Sequence, residues 1–154
     1  SYNKKLIVKL HPSPDEYDPS KILKKIDPEI KIIKTGNISE LIKKCVLLIV
    51  IDVSTSIIDA HLLGKPVISV AVFRTSSIEV KAAKTGLPTV LENNSCALAD
   101  ISSFEKIFYQ MINDDEFRKK IIKNANESIQ KHISFPRDGA TTLLTFLEKF
   151  ENKL

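Results

Sequence analysis

The chain has no tryptophan, one methionine, two cysteines and four glycines in 154 residues, and only three of its 23 basic residues are arginine. Each shortage excludes something. Cys45 and Cys96 have no metal-ligand spacing and sit among apolar residues, the pattern of buried free thiols in a reducing compartment. The glycines form neither Gly-x-Gly-x-x-Gly nor a Walker loop, and no serine stands in a nucleophile elbow. Nucleophilic and metal-dependent chemistry is therefore disfavoured, and no cofactor is expected. No apolar run approaches the roughly 20 residues of a membrane span. No secretory signal is visible either, so the expected location is the cytoplasm. The net charge of +4 is spread along helices instead of being massed with aromatics, which argues against nucleic acid as a partner. Mild attraction to anionic substrates or lipid surfaces is still allowed.

What is present is organised around Cys45 to Val70. Val46 to Ile51 is an unbroken apolar, mostly β-branched run, as in a strand buried on both faces of a parallel sheet. Asp52 ends it, and Ser54, Thr55 and Ser56 crowd the position where a helix should begin, where hydroxyls accept bonds from free helical N–H groups. Ile57, Ile58, Leu62 and Leu63 predict the buried stripe of that helix, and Gly64 its C-terminal stop. Pro66 then releases the chain into a strand over Val67 to Val70. A hydroxyl-rich helix start at the carboxyl end of a central parallel strand is where open α/β sheets bind phosphates.

The flanks extend the alternation. Leu6 to Leu10 reads as a first strand, stopped by His11-Pro12-Ser13-Pro14, because two prolines cannot continue a ladder. Helices follow over about Ser20 to Lys25 and from Asn37 or Ser39 to Lys44, with a short strand at Ile30 to Ile33 between them. Beyond Val70 the pattern predicts a short helix over Ile78 to Lys84 and an edge strand over Pro88 to Leu91, while Ala97-Leu98 is too short to assign. From Ser102 it turns helical: Ser102 to Ile112, Asp114 to about Lys131, and Gly139 to about Glu151. The whole predicts an α/β fold with a doubly wound, Rossmann-like parallel sheet and C-terminal helices, in one domain spanning residues 1–154. The chain opens Ser-Tyr-Asn with a core strand almost at once. That is expected of a piece of a longer polypeptide lacking its N-terminal part, or of a processed start.

Few side chains are placed for chemistry. His11, just past a strand, can donate to a phosphate or stabilise a departing nucleotide, or be an ordinary loop residue. Asp59 falls about one turn inside the helix that Ser54 opens, where a carboxylate can accept the hydroxyls of a ribose or pair with a neighbouring lysine. Arg74 follows a strand at the same end and can clamp a phosphate, since a guanidinium offers paired donors. His61 and His132 read as structural.

Together these residues resemble the C-terminal, nucleotide-binding half of the two-domain GT-B glycosyltransferases, over most of the chain. Leu6-Ile-Val-Lys-Leu-His-Pro12 looks like the His-Pro motif of capsule and sialic-acid-type transferases and of teichoic-acid glycerophosphotransferases, and Ser54-Thr55-Ser56 like their serine pair. Asp59-Ala60, three residues, then Gly64-Lys65-Pro66-Val67-Ile68 resembles the Glu-Ala-x-x-x-Gly-x-Pro-Val pattern of GT-B enzymes, with Asp where they carry the longer Glu. The resemblance implies a donor site for a UDP-, CMP- or CDP-linked sugar or alcohol, used in cell-surface polysaccharide or glycoconjugate synthesis. His11 would steady the leaving phosphate, with Lys9, Pro12, Ser54, Thr55, Ser56, Asp59 and Arg74 binding substrate. It also implies an acceptor-binding N-terminal half, in cis or as a partner subunit, and is compatible with peripheral membrane association of the full enzyme.

His11-Pro12-Ser13-Pro14, Gly64-Lys65-Pro66-Val67 and Pro136-Arg137-Asp138-Gly139 also look like the non-hydrolysing UDP-N-acetylglucosamine 2-epimerases. That family carries Ser-Gly-Gly in place of Ser54-Thr55-Ser56 and a Glu pair in place of Ile58-Asp59. A Rossmann-like interaction module that has kept the fold without the ligand is the third reading.

Overall fold

The computed structural model describes residues 5–11, 18–52, 54–72 and 94–132. The expectations for Pro12, for Arg74, for the helices over 78–84 and 139–151 and for the strand over 88–91 lie outside the described residues. Within them the chain runs β1 (Ile7–Lys9), α1 (Ser20–Ile26), β2 (Lys31–Ile33), α2 (Ile38–Lys44), β3 (Leu48–Ile51), α3 (Ser56–Leu62), β4 (Val67–Ala71), β5 (Ala97–Asp100), α4 (Phe104–Asn113) and α5 (Asp115–His132). The fold is α/β, and every described strand pair is parallel.

The ladders fall into two sheets, β1-β2 and β3-β4-β5. This departs from the single sheet that the alternation predicts. In the larger sheet, Leu48 and Ile49 face Val67 and Ile68, and Ile68 and Ser69 face Ala97 and Leu98. Register partners share a face, so Leu48, Val50, Val67, Ser69 and Leu98 lie on one side and Ile49, Ile51, Ile68, Val70, Ala97 and Ala99 on the other. Each side has its own core. Val50, Val67 and Cys96 pack with Ile42 of α2 and with Ile57 and Ala60 of α3. Ile68, Ala97 and Ala99 pack with Met111 of α4 and Ile121 of α5, rimmed by Phe104, Phe108 and Phe117.

Local chemistry sets the element ends. Asn37 Oδ1 accepts the Ser39 N–H at 2.8 Å and caps α2. Asp114 Oδ1 accepts the Phe117 N–H at 2.9 Å ahead of α5, whose first turn carries Asp115 and Glu116, the favourable sign for a helix N-terminus. At the end of α3 the Gly64 N–H reaches the His61 carbonyl at 3.0 Å and the Lys65 N–H the Ala60 carbonyl at 2.8 Å. That pair of bonds is a Schellman motif, and it needs the left-handed residue that Gly64 supplies at φ +63°. Pro66 follows as the fully covered lead into β4.

Three sequence expectations are corrected. Ala97 and Leu98 belong to a four-residue strand, β5. In α3 Ile57, Ala60 and His61 are buried and Ile58 and Leu63 pack against the same core as expected, while Leu62 is 45% exposed, turned away from that face. The run Val46 to Ile51 is buried on one face only: Val50 is buried, whereas Ile49 is 36% and Ile51 69% exposed. Helix α4 lies over β4 and β5.

Candidate functional site

The candidate site is the turn from β3 into α3. Asp52 leaves the strand with its N–H still bonded to the Val70 carbonyl at 2.8 Å, then takes φ +56°. A left-handed conformation costs an L-residue energy, though Asp tolerates it better than most, and such positions gather where a fold aims a functional loop. The turn is held from below. Ser69, wholly buried in β4, donates its hydroxyl to the Asp52 carbonyl at 2.7 Å. Sequence reasoning missed Ser69; its one signal was a lone hydroxyl inside the apolar run Val67 to Val70.

Beyond this anchor the hydroxyls of Ser54 and Ser56 lie 2.8 Å apart, and Ser54 Oγ also accepts the Ser56 N–H at 3.3 Å. The backbone closes the first turn, with Ile57 N–H on the Ser54 carbonyl at 3.1 Å and Ile58 N–H on the Thr55 carbonyl at 3.0 Å. Thr55 occupies the cap position in helical conformation with no side-chain capping bond, and it is exposed. Of the three hydroxyl residues crowding the helix start, Ser54 is the one that accepts a first-turn N–H, and Thr55 is exposed. Asp59 is half-buried in α3, three residues past Ser56, about 4.5 Å further along the helix axis.

The remaining sequence candidates fall elsewhere. His11 is exposed just beyond β1, and the ladder joining β1 to the rest runs to β2. The His11–Ser54 juxtaposition is therefore not among the ladders described. Lys9 has a structural job, its Nζ on the Leu10 carbonyl at 2.7 Å and the Lys34 carbonyl at 3.0 Å, which ties the ends of β1 and β2 together.

A second polar group lies toward the opposite end of α3. His61, 2% exposed, is packed where α3 meets the start of β5, with Nε2 3.5 Å from Cys96 Sγ and with Nδ1 lacking a hydrogen-bond partner. Burial pushes the His61 pKa down to about 4, with the Ser95 backbone opposing it, and pushes the Cys96 thiol up to about 12. Burial also raises the half-buried Cys45 thiol. Neither thiol is held in a disulfide and burial activates neither; Cys96 is buried as expected, Cys45 only in part. Among the described residues no three His, Cys, Asp or Glu side chains gather as a metal site, and no helix is long and apolar enough to cross a membrane.

The His61 shift predicts an acid-labile fold. The unfolded chain takes up a proton near pH 6.5 and the folded chain only near pH 4. Stability from this residue is thus complete above about pH 6.5 and is lost as pH falls toward 4, by up to about 3 kcal/mol. Asp100, whose carboxylate is held down to about 2 by bonds from Ser103 and Ser102, contributes in a separate window below pH 4. Urea unfolding at pH 7 and pH 4.5 is expected to show the loss in the native chain and not in His61→Gln. An equal loss in both would remove His61 as the cause.

No family model matches the chain, and no curated protein or solved structure matches it either. Function is accordingly argued from the site's own geometry.

Proposed function

We propose that this chain is the donor-nucleotide-binding domain of a glycosyltransferase or glycerophosphotransferase of the GT-B kind, built on a doubly wound, Rossmann-like sheet. The observation that carries the reading is the Asp52–Ser56 turn. A strained residue at the carboxyl end of a parallel strand, pinned by the buried Ser69 hydroxyl, holds two serine hydroxyls side by side ahead of a helix. Binding at the carboxyl ends of parallel strands is the general habit of open α/β sheets. The Ser54 and Ser56 hydroxyls supply donors suited to phosphate oxygens, while the Ser56, Ile57 and Ile58 N–H groups close the turn that holds them. Asp59, one turn on, is at the distance of a ribose from such a phosphate and would accept its hydroxyls.

In this reading the protein's part in the reaction is electrostatic. Donors already fixed in place meet negative charge as the nucleotide leaves, and they require no reorganisation at that moment. His11 would add a proton donor, and the base would be a pyrimidine carried as UDP, CMP or CDP.

Calorimetry with UDP, CMP and CDP tests the assignment. Ser54→Ala combined with Ser56→Ala should weaken binding of the preferred nucleotide by about 1.5–3 kcal/mol, the worth of hydrogen bonds to a charged group. The cost falls on affinity rather than on folding, because both hydroxyls are only half-buried. Unchanged affinity in the double variant, with nucleotide still bound, would move the site elsewhere. No binding of any nucleotide by the native chain would favour the interaction-module reading.

A further inference from the structure

Ser69 is a polar residue in an apolar layer. It stands opposite Val50 in the β3–β4 ladder and so lies on the side of the sheet that α3 covers. Val67, two residues earlier on that side, and Ile57 and Ala60 of α3 are wholly buried there, and Ser69 is buried as completely. Alanine or valine would fill such a position without taking a hydroxyl out of water, a transfer that is unfavourable unless the hydroxyl is bonded. The bond that Ser69 makes, to the Asp52 carbonyl at 2.7 Å, is of a kind that adds only modest net stability. The hydroxyl is better explained by where it holds that carbonyl than by what it adds to the core.

Asp52 is gripped at both ends of its backbone. Its N–H bonds to the Val70 carbonyl at 2.8 Å and its carbonyl accepts the Ser69 hydroxyl, so consecutive residues of β4 hold it at φ +56°. An L-residue without such a hold returns to negative φ, where its energy is lower. Ser54 stands two residues on, within about 7 Å along the chain, so rotation at Asp52 carries it through ångströms. Ser56 has a separate support, as the first residue of α3, which Ile57 and Ala60 anchor in the core. The Ser56 and Ile57 N–H groups reach back to Ser54, which makes Ser54 the link between the two supports. The 2.8 Å between the serine hydroxyls depends on both.

We propose that Ser69 is a positioning residue for the site: by holding the Asp52 carbonyl it keeps Asp52 left-handed and fixes the spacing of the Ser54 and Ser56 hydroxyls. The affinity of that pair for a phosphate is then set from β4, by a wholly buried side chain. This consequence for affinity rests on the nucleotide reading; the hold on Asp52 does not.

NMR on the chain without nucleotide tests the hold, and calorimetry with UDP, CMP and CDP tests its consequence. A positive φ brings a residue's own N–H and Hα protons close together, so native Asp52 should give a strong intraresidue cross-peak. The cross-peak should weaken in Ser69→Ala and return in Ser69→Thr, which keeps the hydroxyl. The preferred nucleotide should bind about tenfold more weakly to Ser69→Ala, with affinity restored in Ser69→Thr. Added to Ser54→Ala with Ser56→Ala, Ser69→Ala should cost no further affinity, because it acts through those hydroxyls. Ser69→Cys fills the position with a weak donor and should behave as Ser69→Ala does, which covers an alanine variant that does not fold. A native chain without the Asp52 cross-peak, or a folded Ser69→Ala that keeps it in full, would overturn the proposal. So would an equal loss of affinity with and without the two serines, the result of a merely structural role. If the native chain binds no nucleotide, the nucleotide reading fails while the cross-peak still decides the hold on Asp52.

Discussion

The 154-residue chain alone, supplied with an activated sugar and an acceptor, is expected to bind nucleotide without turning it over. On the proposed reading, the groups assembled at the Asp52–Ser56 turn would serve one side of a two-substrate reaction, the departing phosphate. In the GT-B transferases that the sequence resembles, the acceptor and its base come from a second Rossmann-like half across a cleft. Holding two reactants in register is worth effective concentrations of about 10⁵–10⁸ M, and one half of such a cleft provides none of it. Adding an acceptor-binding half, fused or in trans, is therefore expected to raise product formation by several orders of magnitude over the chain alone. The measurement is nucleotide release coupled to product formation, with and without that half. Robust turnover by the lone chain would refute the divided-site argument. Release of UDP from UDP-N-acetylglucosamine with formation of a glycal would instead mark the epimerase reading.

Ile68→Ala is expected to cost about 2–5 kcal/mol of folding stability. Ile68 is fully buried in β4, the middle strand of the larger sheet, among Ala97, Ala99, Met111 and Ile121. Its neighbours on β5 are alanines, too small to collapse into the space that a lost side chain leaves. Since whole domains are stable by only about 5–15 kcal/mol, one such change threatens the fold. Ile57→Ala, on the other face, should cost a similar amount, and the two losses should nearly add because the sheet separates the clusters. Ile101→Ala, at a 76% exposed position, should change little. Denaturant unfolding monitored by circular dichroism decides it, and a cost below about 1 kcal/mol for Ile68→Ala would show that this face is not packed as described.

The two cores explain why the sequence was readable where it was. Leu6–Leu10, Ile30–Ile33, Val46–Ile51 and Val67–Val70 were expected as parallel strands, and the described strands fall within or at these segments with parallel pairing. Each carries its signal locally, as a short β-branched run between turn residues, which needs no knowledge of what packs against it. Gly64, and the α2 cap to within Asn37 or Ser39, were legible for the same reason, because a helix end is satisfied by residues within four or five positions of it; the structure selects Asn37.

The features that the sequence concealed all depend on partners far along the chain. Ala97–Asp100 becomes a strand because β4 offers an edge and Met111 a cover, neither of which shows in four residues of weak strand character. Whether Ile51 and Leu62 are covered is decided by where α4 and α5 come to lie, and hydrophobicity alone gives both residues the same claim to burial. The candidate site divides in the same way. The hydroxyl triplet of Ser54, Thr55 and Ser56 could be read directly from composition at a strand–helix junction. Which hydroxyls pair, that Thr55 turns outward, and that Ser69 locks the Asp52 carbonyl from the next strand were set by the fold, because a hydrogen bond spanning 17 residues leaves no periodic trace in the sequence.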